Sequence, residues 1–219
     1  MAVLNRQSIT VDFFLIAHDP FDDGRLRIGP ELFGCGLVGA KLAELVMARR
    51  LGVDGGEIVV LDATEPQDDG DDYVLENVAG QSTAHSVKSW IEPLQDGLYD
   101  IVARQLVMAG VVRRQAGVRR FTRGGRHPDR FPANDLLVAT RPQQDLEQLL
   151  RTPRDLTLAA GVLAALIGAV GLDGSLNLQL DRSYVRELLT EIEQNLPTDL
   201  FAVCESVRAT TAEVSLRAR

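Results

Sequence analysis

Arginine dominates one stretch of this chain. The segment VVRRQAGVRRFTRGGRHPDRF, residues 111–131, holds seven arginines, one histidine and a single acid, Asp129. A guanidinium presents several fixed N–H donors and a permanent charge, so a row of them suits phosphate or carboxylate oxygens. The chemistry is anion binding rather than bond making. Four kinds of contact would use it: a nucleic acid, a membrane surface, a partner subunit, or water around a charged hairpin edge.

The rest of the chain sharpens the contrast. The protein has 219 residues, 31 Asp plus Glu, 23 Lys plus Arg, and a formal net charge of −8. With residues 113–130 set aside, the remainder carries 16 basic against 30 acidic side chains. Six carboxylates lie in DATEPQDDGDD, residues 62–72, which reads as a solvated acidic loop. An acidic body with one basic segment steers encounters with an anionic surface more than it stabilises a fold.

No catalytic arrangement stands beside the arginines. His18, His85 and His127 have no HxxH or HExxH spacing, so no metal is expected. There is no GxSxG, no phosphate-binding GxxxxGK[ST], and no GxGxxG between a strand and a helix. GCGLVG, residues 34–39, follows no strand and reads as helix packing. The expectation is a protein that is not an enzyme and needs no cofactor. Cys35 and Cys204 form no framework and read as small buried side chains of a reducing compartment. The opening residues lack a charged leader and cleavage site. The 15-residue run LAAGVLAALIGAVGL is short for a bilayer span. Together these predict a cytoplasmic protein able to visit a membrane peripherally.

The elements that must position the arginines are mostly helical. Low aromatic content and abundant Leu, Val and Ala favour packed helices. SITVDFFLIAHD predicts a helix capped by Ser8. PELFGCGLVGAKLAELVMARRL predicts a second, with Pro30 in its first turn and glycines that favour close helix approach. EIVVLDA predicts a strand. DDYVLENVAGQS predicts a helix, TAHSVKSWIEPLQ another that stops near Pro93, and GLYDIVARQLVMAG a third with one apolar face. VVRRQAGVRRFT predicts a β-hairpin turning at Ala116 and Gly117. PANDLLVATRPQQDLEQLLR reads as helix interrupted at Pro142, and DLTLAAGVLAALIGAVGL as a buried central helix. Two more helices follow, capped by Asp181 and Thr198. The fold expected is mainly α: a single-domain helical bundle over residues 1–219 around a buried apolar helix, with a short β-hairpin and one or two short strands.

A helix followed by a basic hairpin is winged-helix-like, which raises duplex DNA as a ligand. GLYDIVARQLVMAG carries only Arg104 as a positive group, however, and would read a groove poorly. The residues chosen for anion or lipid contact are Arg119, Arg120, Arg123, Arg126 and Arg130, with Arg49 and Arg50 secondary. Val118 and Phe121 are the candidates for self-association. A purely protein–protein assembly module is the further alternative.

The order of motifs resembles the Golgi phosphoprotein 3 family, in its bacterial, actinobacterial-type form. FFLIAHDPFDDGRLRI, GCGLVGAKLAELVMARRL, EIVVLDATEPQDDGDDYVLENV, SVKSWIEPLQ and VARQLVMAGVVRRQAGVRRFTRGGRHP carry the resemblance, through their order and spacing. It implies a helical bundle with a protruding hairpin and no catalysis. It also implies a peripheral membrane adaptor that binds phosphatidylinositol 4-phosphate through a basic pocket, holds client proteins, and self-associates through the hairpin. The family's pocket arginine before a glycine corresponds here to Val38, and its pocket tryptophan falls near Gly29. Its two further arginines fall near Asp96 and Tyr99. Trp90, in the WIE segment, reads as a packing residue.

Overall fold

The computed structural model describes residues 8–64, 68–117 and 129–217. Among them eight α-helices and two two-stranded antiparallel sheets follow in the order α1 (Ile9–Ala17), β1 (His18–Asp19), β2 (Arg25–Leu26), α2 (Pro30–Met47), β3 (Leu51–Asp54), β4 (Glu57–Val60), α3 (Asp69–Ala79), α4 (Val87–Met108), α5 (Leu136–Arg151), α6 (Leu158–Ala169), α7 (Arg182–Gln194) and α8 (Thr198–Arg217). The mainly α architecture is the one expected.

Two helices share the centre. α6 is buried along most of its length, as its apolar sequence requires. α2 packs against α1, α3, α4, α6 and α8. It can do so because its small residues leave room for neighbours on every side. A Cβ on Gly36 would lie 2.1 Å from the Phe13 ring, and one on Gly39 would lie 2.4 Å from Val207.

Buried charge ties the first three helices together. Ser8 caps α1 through its side chain. Glu44, reaching from α2, accepts hydrogen bonds from Ser8 Oγ at 2.7 Å and Thr10 N at 3.0 Å. Glu44 also pairs with buried Lys41 at 3.0 Å, and Lys41 reaches Asp68 at 3.2 Å and Asp71 at 3.0 Å. Burial alone would push the Lys41 ammonium toward neutrality. The carboxylates of Glu44, Asp68 and Asp71 outweigh that and hold it above the ordinary lysine range. The acidic stretch is therefore only partly a solvated loop. Asp68 caps α3 and, with Asp71, secures that helix to α2.

Several boundaries differ from expectation. α2 ends at Met47, and the chain turns through Arg49 at φ 55° into β3. β3 and β4 pair from Leu51↔Val60 to Asp54↔Glu57 around Gly55 and Gly56. Both glycines have positive φ, 59° and 85°, as a two-residue hairpin turn requires. Pro93 does not end a helix. α4 runs through it, because Ile91, Leu94, Leu98 and Val102 bury as one stripe while Pro93 and Ser89 face solvent. Water can then satisfy the Ser89 carbonyl that the proline leaves unpaired. Likewise α5 is unbroken at Pro142, with Ala139, Leu146 and Leu150 buried on one face. Thr198 is the first residue of α8, and the carbonyl before it, of Pro197, accepts from Phe201 N at 2.9 Å.

Cys35 and Cys204 are buried free thiols, and burial pushes them up to about 11 and about 12. Trp90 is buried, as a packing residue should be. No helix among the described residues is long and apolar enough to cross a membrane.

Candidate functional site

The two ends of the basic segment are paired with each other. Val112 bridges Ala133 and Gln115 bridges Arg130 in antiparallel fashion. Arg113 N donates to Pro132 O at 3.0 Å, and Gln115 and Arg130 exchange two backbone hydrogen bonds of 2.9 Å. The partners of residues 112–115 are thus 130–133. The turn expected at Ala116 and Gly117 is absent, and Gly117 N donates instead to Asp129 Oδ1 at 2.9 Å.

Asp129, the one acid of the segment, holds this base. Its side chain is 5% exposed and receives Arg114 Nε at 2.6 Å. Arg114 also reaches Asp100 of α4 at 3.2 Å, and its guanidinium lies 5.9 Å from the centre of the Tyr99 ring. The hydrogen bond that Arg114 donates to Asp129 is the main reason this arginine holds its proton more firmly than a free one.

Beside the ion pair, Phe131 inserts into an aromatic group. Its ring meets Phe14 at 5.1 Å, His18 at 5.2 Å and Tyr99 at 6.1 Å, each edge to face. Burying a phenylalanine contributes roughly 1.5–3 kcal/mol, so Phe131 helps secure the returning arm to α1 and α4. His18 stacks on Phe14 at 4.3 Å, and its Nδ1 lies 2.8 Å from the Phe14 carbonyl. A carbonyl cannot donate, so Nδ1 carries the proton and Nε2 presents a lone pair. Burial brings His18 down to about 4, so the ring is neutral at pH 7.

A cleft of about 440 Å³ opens between α2, α4 and the base of the segment. Phe33 and Tyr99 give it aromatic surface, Asp96, Asp100 and Asp129 acidic groups, Arg114 a basic one, and buried His18 a neutral polar one. Two of the positions where the resemblance places pocket residues, Asp96 and Tyr99, line this cleft. Val38 is buried in the core instead.

The predicted anion-binding residues fall into three groups. Arg119, Arg120, Arg123 and Arg126, with Val118 and Phe121, lie outside the described residues. Arg130 is half-buried at the base, 3.9 Å from both Asp22 and Asp23. Arg49 is exposed at the turn after α2, whereas Arg50 is buried, with Nε donating to Asp62 O at 2.8 Å and Nη2 to Thr64 O. Arg50 therefore pins the start of the acidic stretch. Sequence reasoning missed the anchoring role of Arg114. The signal available was the lone Asp129, a single acid among seven arginines.

A mainly helical bundle with an arginine-rich segment rooted in an aromatic base is the class of protein that fold and site define. The family described as Golgi phosphoprotein 3 (GPP34) matches residues 9–214, nearly the whole chain, and the protein belongs to that family. Among curated proteins none matches the chain significantly.

Proposed function

We propose that this Golgi phosphoprotein 3 family member, of the bacterial type its motifs resemble, is a non-enzymatic protein that associates peripherally with anionic membranes. Arg119, Arg120, Arg123 and Arg126 meet lipid phosphates, Arg130 and exposed Arg49 add to the field, and buried Arg50 does not take part. The observation that carries this reading is the closed base between Gln115 and Arg130. It holds Gly117 and Asp129 together, and the sequence between them has four arginines and no carboxylate in an otherwise acidic chain. Each basic side chain near an anionic bilayer is worth about 1 kcal/mol, so four together give useful reversible binding.

Exposed apolar side chains flank the base. Phe21 is 77% exposed in the turn that meets Arg130 and Phe131. Met108, 80% exposed, and Leu137, 79% exposed, lie where Asn134 holds the end of α4 to the start of α5. Apolar and basic groups side by side suit an interface between headgroups and acyl chains. In this reading a phosphoinositide contributes as negative surface charge, a protein client docks on the same body, and Val118 and Phe121 serve self-association.

Liposome flotation tests it. Binding is expected to need anionic lipid, to fall with salt, and to drop at least about tenfold when Arg119, Arg120, Arg123 and Arg126 become Ser. Unchanged flotation of that variant refutes the contact, and tight duplex DNA binding by the parent protein replaces it with the nucleic-acid reading.

A further inference from the structure

The cleft beside the base has the wrong charge for a phosphate. Asp96 is exposed on its wall and makes no ion pair or hydrogen bond among the described residues. Asp100 uses one oxygen on Arg114 at 3.2 Å. His18 is 4% exposed and lines the cleft, yet its Nε2 has no partner among the described residues. With Nδ1 committed to the Phe14 carbonyl, that nitrogen only accepts. Beside the Arg114 guanidinium, which Asp100 and Asp129 already neutralise, the cleft's unclaimed polar atoms are acceptors: carboxylate oxygens of Asp96 and Asp100, and an imidazole lone pair. Tyr99 and Phe33 add aromatic rings to the lining, and aromatic rings attract cations.

The protein already shows what fits such surroundings. The Arg114 guanidinium rests over Tyr99 and between the carboxylates of Asp100 and Asp129. A second planar or tetrahedral cation would meet acceptors of a related kind in the same cleft, with the lone pair of His18 Nε2 in place of Asp129.

We propose that this cleft is a binding site for a small organic cation bearing N–H donors, a guanidinium or primary ammonium group, held by Asp96, Asp100, His18 Nε2 and the Tyr99 ring. Charge on the wall selects against phosphate, while the neutral inner imidazole selects a donor over a quaternary ammonium, which has no N–H to give. The ligand is separate from the membrane contact, since none of its residues belongs to the segment between Gly117 and Asp129.

Isothermal titration of the full chain with agmatine, which carries both groups, tests the site. Binding in the millimolar range or tighter is expected, with inorganic phosphate and tetramethylammonium binding at least tenfold more weakly. Asp96→Asn should weaken agmatine about tenfold, the size of one charge-assisted hydrogen bond, with an unchanged melting temperature because Asp96 is exposed. Asp96→Arg should abolish binding, and His18→Phe should weaken agmatine while leaving tetramethylammonium unaffected. Agmatine affinity that survives Asp96→Arg, absence of binding at 10 mM agmatine (~10-fold above a 1 mM dissociation constant), or tighter binding of phosphate than of agmatine overturns the proposal. Flotation of the Asp96 variants should match the parent, so failure here and failure of the membrane reading are told apart.

Discussion

Two groups on one short helix and its exit respond to acid in opposite directions. Asp12, on α1, is partly buried, and burial followed by the nearby charges of Glu44 and Asp145 raises it from 3.8 to about 7. His18, just after α1, is lowered from 6.5 to about 4, chiefly by burial and also by the charge of Arg27. Consider unfolding stability as pH falls from 7 to 4. The folded state protonates Asp12 before the unfolded chain does, so the penalty of its buried charge is relieved. The gain is roughly 3 kcal/mol, from 1.36 kcal/mol for each pH interval between the two pKa values. His18 does the reverse. The unfolded chain takes up its proton first, so stability complete above 6.5 is lost as pH falls toward 4, again by roughly 3 kcal/mol. In the parent protein the two nearly cancel.

Single substitutions unmask them. Urea denaturation at half-unit steps from pH 4 to 7 would compare the parent with Asp12→Asn and His18→Phe. Other carboxylates give all three proteins a shared slope, so the difference from the parent isolates each group. Asp12→Asn should lose roughly 3 kcal/mol relative to the parent on acidification, and His18→Phe should gain about as much. If both variants follow the parent's slope, the burial argument for these two groups is wrong.

Two further outcomes follow from the packing. Lys41→Met leaves Asp71 and Glu44 facing one another without their cation, and should cost about 3–5 kcal/mol in chemical denaturation. Gly36→Ala forces a methyl group against the Phe13 ring, where the present spacing would be 2.1 Å, and should lower stability by about 1–3 kcal/mol, read as a fall in melting temperature.

Much of the fold was legible because its signals are local. Ser8 and Asp181 stand as caps where their side-chain oxygens suggested. The apolar run of α6 is buried as its composition demands. The two proline errors share a cause. A proline marks a missing hydrogen bond, but Leu94 and Leu146 show that a continuous buried stripe can carry a helix across one when the orphan carbonyl faces water. The missed strand β3 was hidden by Leu51 continuing an apolar helical pattern, although Gly55–Gly56 announced its turn. At the site the limit was long-range pairing. Ala116–Gly117 has turn chemistry, yet Asp129 and Phe131, distant in sequence, decide the register through an ion pair and an aromatic group. Adjacent Arg49 and Arg50 read alike in sequence. Only the fold of the acidic stretch separates the exposed one from the buried one.

The clasp formed by Gln115, Arg130, Arg114 and Asp129 has a consequence for how this surface can change. It fixes both ends of the chain between Gly117 and Asp129 through contacts that need no residue inside that interval. Closing such an interval depends only weakly on its length: doubling it costs roughly 0.6 kcal/mol. Residues there can be exchanged, added or removed like a cartridge while the bundle keeps its register. The molecule thereby separates what it is built from and what it shows to a partner, and the second can be rewritten without renegotiating the first.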